Sequence, residues 1–189
     1  MRKFNLDFKD YIDKEMGVKD VTIIDPPWQY DDKLDNRPNL TDYKLWNNND
    51  LEYLFEKINS KYLFLWVTNS FLDFVFKTNT HNYKYKNIVT WIKTTNSGKY
   101  FYGIGHYYRN CTEHLLLFTT KNVKCWKSNL RNIIVSNQLS RTEKPKDFEL
   151  SILEHAKNKH NLNNFTYIFS GLNVNVFENY NIDCVDIEL

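Results

Sequence analysis

The sequence predicts an α/β fold, a single domain in which strands and helices alternate, and three observations carry that prediction. The β-branched run Val21-Thr22-Ile23-Ile24 stops at Asp25, two prolines and Trp28, which reads as a buried strand cut off at its carboxyl end. Leu51, Leu54, Phe55 and Ile58 recur at i, i+3, i+4 and i+7, the stripe of a helix that returns the chain to a second apolar run, Tyr62–Val67. Strand, helix, strand in that order implies a parallel pair. No repeat, linker or compositional break divides the 189 residues. That length fits one domain, 1–189, with a substantial core.

Composition sets the outer bounds. A hydrophobic fraction of 42% and an aromatic fraction of 16% belong to a folded rather than a disordered chain. The net charge of +2 is too small to announce a polyanionic partner, so any nucleic-acid contact must rest on local patches. Lys121, Lys124, Lys127 and Arg131 form the best of these, although a solvated face is the better reading of that run taken alone. Cys111, Cys125 and Cys184 show neither C-x-x-C nor metal-ligand spacing, which suits a reduced intracellular compartment. With no apolar stretch of membrane-spanning length and no signal-peptide pattern, a soluble protein without a membrane partner is expected.

Taken in order, residues 1–20 carry mixed charge and a short helix around Asp10–Met16. The strand Val21–Ile24 follows. Pro26 and Pro27 each fix φ and remove a backbone N–H, so they make a rigid rim at its carboxyl end, the edge where open α/β sheets bind ligands. Gln29 to Asn49 is polar and carries Tyr43 and Trp46; directly behind Trp28, a loop of that length is a natural substrate gate. Asn49 or Asp50 caps the helix that follows. Ser70 caps another, reaching about Thr80, with Phe71, Leu72, Val75 and Phe76 turned inward. Tyr85–Ile92 alternates as a third strand, Thr94–Asn110 is a Gly- and Tyr-containing loop, and Glu113–Thr119 and Asn132–Val135 are strands. Helical periodicity over Phe148–Lys159 and the strands Phe165–Phe169 and Ile182–Ile187 complete the domain.

The residues at the proline rim suit one kind of chemistry. The exocyclic amine of adenine is a poor nucleophile because its lone pair is delocalised into the ring. A carboxylate and a proline carbonyl side by side can accept its two N–H groups and localise density on nitrogen, while Trp28 stacks on the base. Catalysis would then be positioning plus preorganised electrostatics. The plain alternative makes Asp25 a turn acid and Trp28 a core residue. His106 and His114 lack H-x-x-x-H spacing and a third clustered ligand, so no metal is expected.

Several further segments fall in register with that motif: Tyr43, Phe64-Leu65-Trp66-Val67-Thr68, Trp91-Ile92-Lys93, Gly105-His106-Tyr107-Tyr108-Arg109-Asn110, Thr112-Glu113-His114-Leu115-Leu116 and Lys144-Pro145. With Asp25-Pro26-Pro27-Trp28 they resemble the DPPW-type adenine N6-methyltransferases of the MT-A70 family, from about Asp7 to the carboxyl terminus. The resemblance implies a Rossmann-like, mostly parallel sheet in permuted order, with the catalytic motif early and the cofactor-loop strand late. It implies S-adenosyl-L-methionine as cofactor and DNA or RNA as substrate. Asp25, Pro26, Pro27 and Trp28 would be catalytic; Asp7, Phe8, Asp25 and Lys144 would hold the cofactor, Lys144 through its methionine carboxylate. Trp28, Tyr43, Trp46, His106 and Arg109 would meet the substrate, with a structural ion pair as the other reading of Arg109. The late motif departs from the family pattern: Tyr167 to Leu172 lacks the usual acid and Arg, and the tail lacks a Trp and a Gly, so Asn173, Asn175 or Glu188 would take over the ribose contacts. The competing expectation is a catalytically inactive paralogue that binds nucleic acid or a partner subunit. A free small-amine methyltransferase is the third.

Overall fold

In the computed structural model, residues 1–28, 46–103, 105, 107–138, 143–169 and 175–186 are described. The strands are β1 (Arg2–Asn5), β2 (Lys19–Ile24), β3 (Ser60–Thr68), β4 (Lys84–Thr94), β5 (Thr112–Thr119), β6 (Ile133–Asn137), β7 (Phe165–Ile168) and β8 (Ile182–Asp186). The helices are α1 (Phe8–Lys14), α2 (Asn48–Lys57), α3 (Leu72–Lys77) and α4 (Lys146–His160). Among the described residues, eight strands join one sheet in the order β1-β8-β7-β2-β3-β5-β4-β6. Every neighbouring pair is parallel except those of β5, which runs against both β3 and β4. The expected mostly parallel α/β sheet is therefore present.

Period-two alternation divides the core into two layers. Ile24, Leu63, Leu65, Val67, Leu116, Phe118 and Ile168 face one way and pack on Tyr11 of α1, Leu51, Leu54 and Phe55 of α2 and Val75 of α3. Val21, Ile23, Phe64, Trp66, Leu115, Phe165 and Tyr167 face the other way, onto Ile152, Leu153 and Ala156 of α4. With both faces covered, the central strands read as near-continuous apolar runs.

Several local expectations are corrected. The cap of α2 is Asn47, whose side chain accepts from Asn49 and Asp50 N–H while Asp50 returns a bond to Asn47 N, a complete capping box. Ser70 caps nothing; Asn69–Phe71 is a 3-10 turn leading into α3, which ends at Lys77 rather than Thr80. Phe76 is half exposed, while Val75 is fully buried and Phe71, Leu72 and Phe74 pack against the core beside it. At the amino terminus β1 pairs with β8, where no strand was expected, and Asp7 caps α1 by accepting from Lys9 N at 2.8 Å.

The crossover from β2 moves one way, to β3, whereas β7 leads the other way, to β8. β2 and β7 are adjacent and parallel, with Ile24 opposite Ile168, so their carboxyl ends form the point where strand order reverses. A crevice at such a point is where open α/β sheets take ligands. Asp25 follows β2 directly, and its N–H donates to the Ile168 carbonyl at 3.2 Å. Phe169, the residue after β7, holds φ at 62°, a left-handed conformation uncommon for an aromatic residue.

Candidate active site at the strand-order reversal

Asp25 sits on the rim with its side chain 18% exposed, and Lys144 Nζ lies 2.7 Å from its Oδ2. Lys144 comes from the segment before α4 and is itself buried, 3.3 Å from Oε2 of Glu113 on β5. The other oxygen of Glu113 is bonded to Lys93 of β4. The result is an alternating array, Lys93, Glu113, Lys144, Asp25, strung across the sheet edge. Four charges are tolerated at such low exposure because each meets an opposite charge.

Behind Lys144 the floor is aromatic and hydrogen-bonded. The ammonium lies 5.8 Å from the Trp66 ring centroid. Glu149, fully buried on the first turn of α4, accepts from Trp66 Nε1 at 2.8 Å and from Tyr167 OH at 2.6 Å, and its Oε2 pairs with Lys146 Nζ at 3.2 Å. Pro145 occupies the cap position of α4 without a side-chain cap, its carbonyl accepting from Phe148 and Glu149 N–H, and the positive end of the helix lies at the end that carries Lys144.

Burial, reinforced by Glu113 and opposed by Lys144, pushes the Asp25 carboxyl up to about 6. Lys144 is held above the ordinary lysine range by Asp25 and Glu113 in spite of its burial. Glu113 is likewise buried, yet the cations on both sides hold it below the ordinary glutamate range.

The predicted site residues divide into three groups. Asp25 and Lys144 come together, but Lys144 pairs with Asp25 and Glu113 rather than standing open toward a ligand. The second group is core. Trp46, expected at the substrate, is 4% exposed and packs on Phe8 and Phe169, while its N–H donates to the Pro27 carbonyl at 2.8 Å. Phe8, expected at the cofactor, is 2% exposed among Trp46, Tyr53 and Phe169. Trp28 is buried and one ring face is stacked on Phe71, with centroids 4.9 Å apart, so base stacking there is restricted to its other face; its Nε1 makes no hydrogen bond. Asp7 is a helix cap, and Asn175 lies exposed, accepting from Lys3 Nζ at 3.3 Å. Arg109 stands on the loop between β4 and β5 with its guanidinium over Tyr102. The third group, Tyr43, His106, Asn173 and Glu188, lies outside the described residues, as do the gating loop from Gln29 to Leu45 and Ser170-Gly171.

Glu113, Lys93, Glu149, Trp66 and Tyr167 were given no role from the sequence, although charges inside apolar strand ends were a usable signal: such groups are rarely buried unless paired. His114 is structural, bonded to Asn69 Oδ1 and Thr90 Oγ1. A separate cleft of about 280 Å³, lined by Lys127, His155 and Lys159 among others, includes none of these residues. Among the described residues, no helix is long and apolar enough to cross a membrane.

The donor set can be tested against a methyl donor bearing an amino-acid tail. A buried ammonium beside an uncapped helix amino terminus matches a carboxylate, and a rim carboxylate matches a group that presents N–H. The residues present fit both ends of that chemistry. No curated protein matches the chain. The MT-A70 family model matches residues 19–167, from the start of β2 into β7. Asp25 and the array from Lys93 to Lys144 fall inside that span, which stops one residue short of the end of β7. The chain belongs to the MT-A70 family, whose fold is the Rossmann-like methyltransferase fold seen here.

Proposed function

We propose that this chain transfers a methyl group from S-adenosyl-L-methionine to N6 of adenine in DNA or RNA. The observation that carries the reading is the pairing of Asp25 with Lys144 at the strand-order reversal, 2.7 Å apart and backed by Glu113. When bound, the cofactor supplies an electrophilic methyl group on sulfonium. Lys144 and the first turn of α4 hold its methionine carboxylate, and Asp25 and Pro26 accept the two amine hydrogens of the base. Pro27 is less suited because its carbonyl already accepts from Trp46.

An array that alternates in charge lets Lys144 shift its weight. Because it pairs with Glu113 as well as Asp25, Lys144 would hold a carboxylate with its own charge still neutralised, which would leave Asp25 Oδ2 for the amine. Lys93 keeps Glu113 neutralised throughout. Aromatic walls at Trp66 and Tyr167 keep water from the ion pairs, which strengthens them.

Purified protein incubated with total nucleic acid and methyl-labelled cofactor, followed by digestion to nucleosides, should yield labelled N6-methyladenine. Asp25→Ala should lower that yield by at least about 100-fold, the scale of losing a preorganised electrostatic contact, while cofactor affinity changes little. Wild-type turnover in the variant would remove Asp25 from the mechanism. The inactive-paralogue reading is favoured instead if the folded chain binds no cofactor in calorimetry.

A further inference from the structure

The loop between β4 and β5 exposes four tyrosines to solvent to an unusual degree: Tyr100 at 72%, Tyr102 at 74%, Tyr107 at 95% and Tyr108 at 88%. Large apolar groups exposed together mark interaction surfaces. The described residues of the loop are also tied to one another and to β4. Phe101 N–H donates to Lys93 O at 2.9 Å, Tyr100 bridges to Thr94, and Gly103 N–H donates to Asn110 O at 3.1 Å. A Cβ on Gly103 would meet Asn110 O at 2.2 Å, and one on Gly105 would meet Tyr108 O at 2.0 Å. Only glycine permits the two limbs to approach so closely.

Its position ties it to the site. β4 ends at Thr94 and β5 begins at Thr112, with Ile92 opposite Thr112 and Thr68 opposite Glu113. The loop therefore rises from the same sheet edge as Asp25, joined to it by Lys93, Glu113 and Lys144. Between residues 95 and 111 the charged side chains are Lys99 and Arg109, with no Asp or Glu. Arg109 lies over the Tyr102 ring, 4.7 Å from its centroid.

Exposed rings accompanied only by cations complement a polyanion that offers flat, apolar faces. An unpaired nucleic-acid strand offers both, because its bases can be splayed onto aromatic side chains while its phosphates meet Arg and Lys. In a duplex the same faces are stacked on one another and closed to the loop. Resting on the nucleic-acid reading above, we infer that Tyr100, Tyr102, Tyr107 and Tyr108 form a stacking platform for unpaired bases flanking the target. The substrate is then single-stranded nucleic acid.

Fluorescence anisotropy with the full chain and no cofactor tests this. The probes are short labelled DNA and RNA strands carrying one adenine, the same strands annealed to complements, and abasic strands of equal length. The single strands should bind at least about tenfold more tightly than the duplexes and abasic strands. Tyr107→Ala with Tyr108→Ala should cost about tenfold or more on the single strands. Tyr107→Phe with Tyr108→Phe, which keeps the rings, should stay within about threefold of wild type. Equal binding of strand and duplex overturns the inference, as does wild-type affinity in the alanine variant. So does a dimer in sedimentation that the alanine variant dissolves while oligonucleotide binding persists, since the patch would then be a protein contact. Because the readout is binding alone, tyrosine-dependent binding without any methyl transfer supports the platform and counts only against the methylation reading.

Discussion

How good an acceptor Asp25 is depends on its charge, and its charge depends on Glu113. A protonated carboxyl would donate rather than accept, so methyl transfer should fall away as pH drops through the Asp25 value of about 6. Glu113 raises that value and Lys144 lowers it. Glu113→Gln removes the first influence and gives Lys144 wholly to Asp25, and both changes shift the acid limb of the rate profile to lower pH. Turnover should fall as well, since Lys144 would no longer be drawn off Asp25. A residue needed only for folding would lower activity without moving the limb, so an unmoved limb in a pH-rate series would deny Glu113 this influence. The stability consequence has a definite sign. Asp25 is raised above its unfolded value, so the native state holds the extra proton, and its contribution to stability declines as pH climbs through about 6.

At the scale of elements, the sheet edge formed by β1 and β8 hangs on Asp183. Arg2 grips its carboxylate through Nε and a terminal nitrogen, each at 2.8 Å; Lys19 of β2 donates at 2.6 Å and Tyr11 of α1 at 2.8 Å. Lys19 and Asp183 are each 3% exposed, so removing the acid strands a buried ammonium. Asp183→Ala should cost about 3–5 kcal/mol in urea unfolding, the scale of breaking a buried pair from one side. Asp183 is held below its ordinary range, chiefly by Arg2 and Lys19 against burial, so its share of stability is present at neutral pH and disappears as acid protonates it. This edge was also the least legible in the sequence. Arg2–Asn5 is mostly exposed and charged, as suits an edge strand, so neither alternation nor an apolar run betrayed it; only pairing with β8 makes it a strand. The central strands were legible because burial on both faces makes them apolar throughout. The site was half legible for the same reason. Asp25, Lys144, Lys93 and Glu113 all lie in short motifs, but that they pair with one another shows only when distant segments meet, and Glu149 lies in none of those motifs.

Taken whole, the molecule places its ion array where two sets of crossovers part, and that placement decides what a ligand can hold. A cofactor at the reversal point would have its carboxylate held by Lys144 beside the amino terminus of α4. Binding to the native state alone stabilises by mass action: a concentration about 100 times the dissociation constant gives roughly 2.7 kcal/mol, or about 5–10 °C in a domain of this size. S-adenosyl-L-methionine should produce that rise in a thermal melt. A thioether analogue that keeps the adenosine but lacks the amino-acid tail should produce much less at equal concentration. Lys144→Ala should narrow the difference between the two, because the contact that tells them apart has gone. Equal shifts from both ligands in the wild-type protein would place the carboxylate away from Lys144, and no shift from either would favour a subunit that has kept the fold and lost the cofactor.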